Sequence, residues 1–297
     1  MSDTVTLAAP LSGIIYPLER VPDPVFAQKL VGDGISIDPT DACLRAPCAG
    51  EIIHLHPAGH AVTLRAAGNV EVLMHIGIDT VTLKGTGFTP RVKAGDHVET
   101  GTPLIDFDLD HVATHAKSLL TEIIISNGET VRAMERASGS VKAGGTLLTL
   151  TLANGASAAP AADGASVTSD AILVPNPTGL HARPAAVLAN VAKSFASQIK
   201  LQLGDRSANA RSITSIMALE VGHGDKVVLV AKGADAKAAV EKLSKLIAEG
   251  LGDVGCTPAP APATIAIAKI AEPPPHRRSA DPNVLMGVSA SPGLAVG

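Results

Sequence analysis

The stretch Gly179-Leu180-His181-Ala182-Arg183-Pro184 opens a run in which Val187, Leu188, Val191, Ala192 and Phe195 recur on one face at helical spacing. A proline just after a histidine, at the head of such a run, marks the first turn of a helix, where a missing N–H costs little. The imidazole of His181 then sits where unpaired backbone N–H groups and the positive end of the helix dipole converge, a place that suits an anion. Arg183 adds a permanent cation able to clamp phosphate oxygens. Near neutrality a histidine is mostly uncharged, with an unperturbed pKa of roughly 6.5, so one ring nitrogen keeps a lone pair and attacks phosphorus without a separate base. His181 is therefore a candidate to carry a phosphoryl group on nitrogen.

The residues around it complete a small α/β unit. Strands are expected at 171–174, 198–203, 207–210 and 226–231, a short helix near 212–219 and a last helix at 235–250. In the last helix Ala236, Ala239, Val240, Leu243 and Ile247 form the apolar stripe, Glu241 and Lys245 make an i,i+4 pair, and Gly250 suits the C-cap. Helices on one side of an antiparallel sheet make an α/β open-faced sandwich. The motif and the order of elements, over about 169–251, resemble HPr, the histidine-containing phosphocarrier of the bacterial phosphoenolpyruvate:sugar phosphotransferase system (PTS). The resemblance implies that enzyme I phosphorylates His181 on Nδ1 and that Arg183 holds the phosphoryl oxygens. It makes Ile213, Ile216 and Met217 candidates for a docking face, with Thr214 where family members often carry an aromatic residue. Ser212 aligns with the regulatory serine of HPr; by residue type it reads equally as an N-cap.

Composition narrows the function classes. At 297 residues the chain has room for about two domains. A net charge of −4, no tryptophan and a single tyrosine give no sign of nucleic-acid binding. No apolar run approaches the roughly 20 residues that cross a bilayer, and the N-terminus does not read as a secretory signal. Cys43, Cys48 and Cys256 lack metal-ligand or disulfide-framework spacing. The expectation is a cytoplasmic protein with reduced thiols.

Residues 153–168 are rich in Ala, Gly and Ser, and 255–283 carry repeated Ala-Pro pairs and Pro273-Pro274-Pro275. Both read as linkers, the second the stiffer. They leave a first domain at 1–152, the HPr-like domain at 169–254 and a tail at 284–297. The expected fold is multidomain: an all-β sandwich or barrel-like domain and the α/β open-faced sandwich, joined by a flexible linker.

Alternating or buried-strand patterns at 51–54, 61–66, 70–75, 103–107 and 146–152, broken by Gly and Pro turns, make the first domain β-rich. Within Leu73-Met74-His75-Ile76-Gly77-Ile78-Asp79-Thr80-Val81, the apolar neighbours put His75 at the end of a buried strand. His60 begins another strand after Gly59, and antiparallel pairing of the two would bring both imidazoles to one patch. Ala9-Pro10-Leu11-Ser12-Gly13, Val21-Pro22-Asp23-Pro24-Val25-Phe26-Ala27, Val31-Gly32-Asp33-Gly34 and the run 75–88 with Leu83-Lys84-Gly85 resemble enzyme IIA of the glucose family, across nearly all of 5–150. The resemblance implies that His75 accepts the phosphoryl group through Nε2, that His60 orients or stabilises the phosphorylated ring, and that Asp79 meets the arginine of an incoming HPr. It also implies onward transfer to a cysteine of enzyme IIB, coupled to a IIC sugar permease at the membrane, with glucose or N-acetylglucosamine as the sugar. The same face would serve phosphorylation-dependent binding of regulatory targets. One departure stands out: Ala58-Gly59 precedes the partner histidine, where family members often have Thr-Asn.

Two other readings compete. His54-x-His56 and His75-x-x-x-Asp79 have the look of zinc-ligand pairs in β-rich metallopeptidases. A peptidase, however, gains nothing from a fused phosphocarrier, and the IIA resemblance permits a zinc at His60 and His75 without requiring one. Magnesium belongs to the enzyme I step, so no cofactor is expected in this chain. Val92-x-x-Gly95-Asp96-x-Val98-x-x-Gly101-x-x-Leu104 has the turn pattern of biotinyl and lipoyl domains, yet no lysine adjoins Met134 and Lys84 belongs to the IIA motif. The tail 284–297 resembles the first strand of enzyme I, without its phosphohistidine or its phosphoenolpyruvate barrel. The expectation is a fragment of a IIA–HPr–enzyme I fusion whose isolated tail is disordered.

Overall fold

The segment Thr121–Ile125 is buried along its whole length, which suits a strand paired on both edges and covered on both faces. In the computed structural model, which describes residues 4–153 and 166–253, it lies within an eight-stranded antiparallel sheet. The order across that sheet is Ser140–Val141, Gly13–Tyr16, Asp33–Pro39, Thr121–Ile125, Glu71–His75, Ala61–Arg65, Gly50–Leu55 and His97–Val98. Two three-stranded sheets complete the first lobe. Thr146–Leu152 lies between Thr4–Ala8 and Val131–Arg136 in one, and Pro103–Phe107 lies between Cys43–Arg45 and Phe88–Pro90 in the other. The lobe is all-β in its sheets, as expected, but the strand order has two ends and no barrel closes.

Register decides which side chains share a face. Ala61 lies opposite His75 on one side, and Glu122 lies opposite His75 on the other. Ser36 lies opposite Glu122 in turn. A row across the sheet therefore reads Ser36, Glu122, His75, Ala61, and residues in such a row point the same way. The alternate residues Val62, Val72, Met74, Ile123 and Ile125 fill the core of the first lobe. On the His75 side, Ala61, Leu73 and Ile124 belong instead to a cluster with Val25 and Phe26 that continues into the second lobe through Leu180, Ile213 and Ile216. The sheet face that carries His75 is thus the face that the second lobe covers.

The second lobe is built on a five-stranded antiparallel sheet. Lys226–Lys232 pairs with Ser166–Thr168, Ile172–Leu173 and Gln198–Leu203, and Arg206–Asn209 lies at the far edge. Val227, Leu229 and Ala231 alternate inward along the long strand. Against them lies helix Ala236–Ala248, which packs in turn on helix Ala182–Lys193. The helix buries Ala236, Ala239, Val240, Leu243 and Ile247, the stripe its spacing calls for. Gly250 follows the helix end at φ +77°, the left-handed conformation that glycine enters freely. One boundary differs from the sequence reading: Ser166–Thr168, expected as linker, is a strand, because Val167 packs against the core while its backbone pairs with Lys226–Lys232. The stretch 255–283 and the tail 284–297 lie outside the described residues. Among the described residues no helix is long and apolar enough to cross a membrane.

The turn into the histidine helix depends on Gly179. Its φ is +69°, and a Cβ there would meet the Val221 carbonyl oxygen at 2.0 Å. Gly179→Ala is expected to destabilise the second lobe by roughly 2 kcal/mol or more, since the left-handed backbone and the clash add. Thermal unfolding checks it, and an unchanged midpoint would contradict the role assigned to this turn.

Candidate functional site

His75 closes its strand, and the chain turns at once through Gly77, with φ +69°. Nδ1 of His75 lies 2.8 Å from the Gly77 carbonyl oxygen. A carbonyl only accepts, so Nδ1 carries the proton and Nε2 keeps the lone pair. The His60 ring meets His75 edge-on at 5.0 Å between centroids, and Phe26 packs on His75 at 5.5 Å. His56 lies 4.2 Å from His60, its Nδ1 accepting the Ala58 N–H. Both imidazoles picked out in this domain therefore share one patch, brought together by strand pairing. Burial lowers the pKa of His54, His56 and His75 to about 4 each, and that of His60 well below its ordinary value. At neutral pH all four rings are uncharged.

The second lobe brings its own histidine to this patch. His181 is the N-cap of helix Ala182–Lys193, with an extended backbone and no side-chain cap bond. Its Nδ1 is buried and has no hydrogen-bond partner among the described residues, while Nε2 lies 3.9 Å from Asp253 Oδ2. Burial lowers its pKa, with the Asp253 charge opposing. Arg183 reaches across the lobe boundary: Nη2 donates to Asp23 Oδ2 at 3.1 Å, and Nη1 lies 3.9 Å from Asp253 Oδ1. Asp23 Oδ1 in turn accepts the Val25 N–H at 2.7 Å and so caps the short helix Pro24–Ala27 that presents Phe26 to His75. Asn190 donates to the Leu30 carbonyl at 3.0 Å, and the Thr214 and Ser126 hydroxyls lie 3.3 Å apart. A cleft of about 170 Å³ remains, lined from one side by His56 and Pro57 and from the other by Leu180, His181 and Met217.

These placements extend the sequence reading. Within the chain Arg183 meets Asp23 and Asp253; Asp79, expected to meet the arginine of an incoming HPr, adds a longer-range field at His181. Ser212 is the N-cap of helix Ile213–Met217, accepting the Ser215 N–H at 3.2 Å. Ile213, Ile216 and Met217 are buried in the cluster shared by the lobes, and their helix packs against strand Gly50–Leu55. For the zinc reading, among the described residues no three His, Cys, Asp or Glu side chains converge as a ligand set. Three carboxyl groups were missed. Asp23 stood within Val21-Pro22-Asp23-Pro24-Val25-Phe26-Ala27 without a role of its own, Asp253 carried no local pattern, and Glu122 showed only as an acid ahead of three isoleucines.

A paired set of buried histidines, one at a helix N-terminus beside a guanidinium, is the machinery of a phosphoryl carrier. Residues 5–131 match the family described as phosphoenolpyruvate-dependent sugar phosphotransferase system, EIIA 1, and residues 168–249 match the PTS HPr component phosphorylation site. The chain is 47% identical over 141 residues to the PTS system glucose-specific EIIA component of Halalkalibacterium halodurans, which covers 47% of this chain and 82% of that protein. To its counterpart in Oceanobacillus iheyensis it is 46% identical over 128 residues, 43% of this chain and 78% of the relative. The phosphocarrier protein HPr from Bacillus anthracis str. Ames is 34% identical, with 28% of this chain and 98% of that structure covered and a TM-score of 0.27. The chain belongs to the glucose-type EIIA family of the phosphotransferase system and carries an HPr domain in the same polypeptide.

The buried neutral imidazoles have a consequence for pH. Unfolded histidines take up protons near pH 6.5, whereas His54, His56 and His75 resist until about 4. The unfolded chain therefore binds more protons in that window, and stability is full above it and falls with pH inside it. Each such histidine contributes at most about 1.4 kcal/mol per pH unit. The melting temperature should drop steeply from pH 7 to 5, and His54→Gln should flatten the slope by one proton. A pH-independent melting point over this range would contradict the burial of these rings.

Proposed function

We propose that this chain relays a phosphoryl group internally, from His181 to His75. The observation that carries the reading is the Arg183–Asp23 pair at 3.1 Å, which sets the first turn of the histidine helix beside the helix that holds Phe26 against His75. Enzyme I, consuming phosphoenolpyruvate, phosphorylates Nδ1 of His181, the nitrogen without a partner among the described residues. First-turn N–H groups and Arg183 hold the dianion. In the transfer the N–P bond at His181 breaks and its electron pair returns to Nδ1. The lone pair on Nε2 of His75 forms the new N–P bond. Little covalent help is needed, because positioning and charge stabilisation supply most of the catalysis of phosphoryl transfer. His60, neutral and edge-on to His75, lines the acceptor side. The group then leaves for a cysteine of enzyme IIB, coupled to a IIC permease, and the glucose-specific relatives favour glucose as the sugar.

Intact-mass measurement after incubation with enzyme I and phosphoenolpyruvate tests the order. Wild type should gain two acid-labile phosphoryl groups, His75→Ala one and His181→Ala none. A phosphoryl group on His181→Ala would reverse the direction. The bridging pair has its own test. Asp23→Asn keeps a capping oxygen but loses the charge, and it should slow transfer from phospho-His181 to His75 about tenfold or more in rapid-quench measurements. An unchanged rate would show that the pair does not guide docking.

A further inference from the structure

Glu122 is a buried acid with no part in the relay as written. On strand Thr121–Ile125 it is followed by three isoleucines, yet its carboxyl is fully buried between Ser36 and His75. Oε1 lies 3.5 Å from the Ser36 hydroxyl, which has a shorter bond, 3.2 Å, to the Thr121 carbonyl. Oε2 is buried, lacks a hydrogen-bond partner among the described residues and lies 3.8 Å from Nδ1 of His75. A carboxyl with a free oxygen inside a sheet is costly, and an isoleucine would serve the packing better.

We propose that Glu122 is a positioning residue for His75: its carboxyl is neutral while the ring is neutral, and ionises to hold the ring once Nε2 is phosphorylated. The inference rests on the relay reading. Nδ1 keeps its proton and its bond to Gly77 throughout, so formation of the Nε2–P bond leaves the ring with a positive charge. Before transfer, burial holds the Glu122 carboxyl well above the usual carboxylate range, and the Asp23 charge adds to this. A cation 3.8 Å from Oε2 opposes both effects. One proton passes from Glu122 to the medium for each phosphoryl group accepted, so the carboxyl O–H bond breaks, and the only other bonds to change are the two N–P bonds. The groups facing this carboxyl are His75 from strand Glu71–His75, Asp23 from the segment before helix Pro24–Ala27 and the uncharged Ser36 from strand Asp33–Pro39; His60 touches His75.

Because the product holds one proton fewer, the ratio of phospho-His75 to phospho-His181 should rise with pH, by up to tenfold per unit between the two Glu122 pKa values. The full chain is charged with enzyme I and phosphoenolpyruvate, and the two sites are resolved by peptide mass at a series of pH values. Wild type should show the rise, and Glu122→Gln should flatten it and lower the share on His75. In wild type with ¹³C-labelled glutamate, the Glu122 carboxyl signal should move from its protonated to its ionised position on phosphorylation, a readout that needs no variant to fold. A phosphorylated His75 with equal slopes in both proteins and a stationary carboxyl signal overturns this inference alone. Absence of phosphoryl on His75 at every pH overturns the relay reading, and this inference with it.

Discussion

One carboxylate ties the two lobes together. Asp23 accepts the Val25 N–H with one oxygen and the Arg183 guanidinium with the other. The first bond fixes the helix that sets Phe26 on His75; the second fixes the turn that carries His181. Two halves of a site, contributed by distant parts of the chain, meet on this side chain, with the Asn190–Leu30 and Thr214–Ser126 contacts beside it. A nearly buried charge of this kind is stable only because both oxygens are satisfied, one of them by a permanent cation. The apolar cluster that runs from Val25 and Phe26 to Leu180 and Ile216 supplies area, and the ion pair supplies register.

The remaining chemistry follows from dryness. An imidazole attacks phosphorus only when unprotonated, and burial keeps His60 and His75 that way well below neutral pH. The Gly77 carbonyl then chooses which nitrogen is free. Gly77 itself has φ +69°, and a Cβ on it would come within 2.7 Å of the Thr80 side chain, so the turn that sets the tautomer needs glycine.

Much of this was legible in the chain. The helix behind His181 announced itself by period and by Pro184, and the meeting of His60 and His75 followed from two strands flanking glycine-rich turns. Strand bounds at Pro103–Phe107 and Thr146–Leu152 fell where alternation put them. The residues that escaped share a physical reason. Asp23 and Asp253 act across the fold, through partners 70 or more residues away, and local pattern is blind to such pairs. Glu122 interrupts an apolar strand, and that conflict with its surroundings was the one signal available. Ser166–Thr168 is too short to show a period and lies beside small residues that read as linker.

The same docking that aligns the histidines also shuts them in. Nδ1 of His181 is buried in this arrangement, beside a cleft that the ring itself lines, so a donor from outside meets a covered nitrogen. If the relay runs within one chain, charging His181 and transfer to His75 then need two different arrangements of the same face.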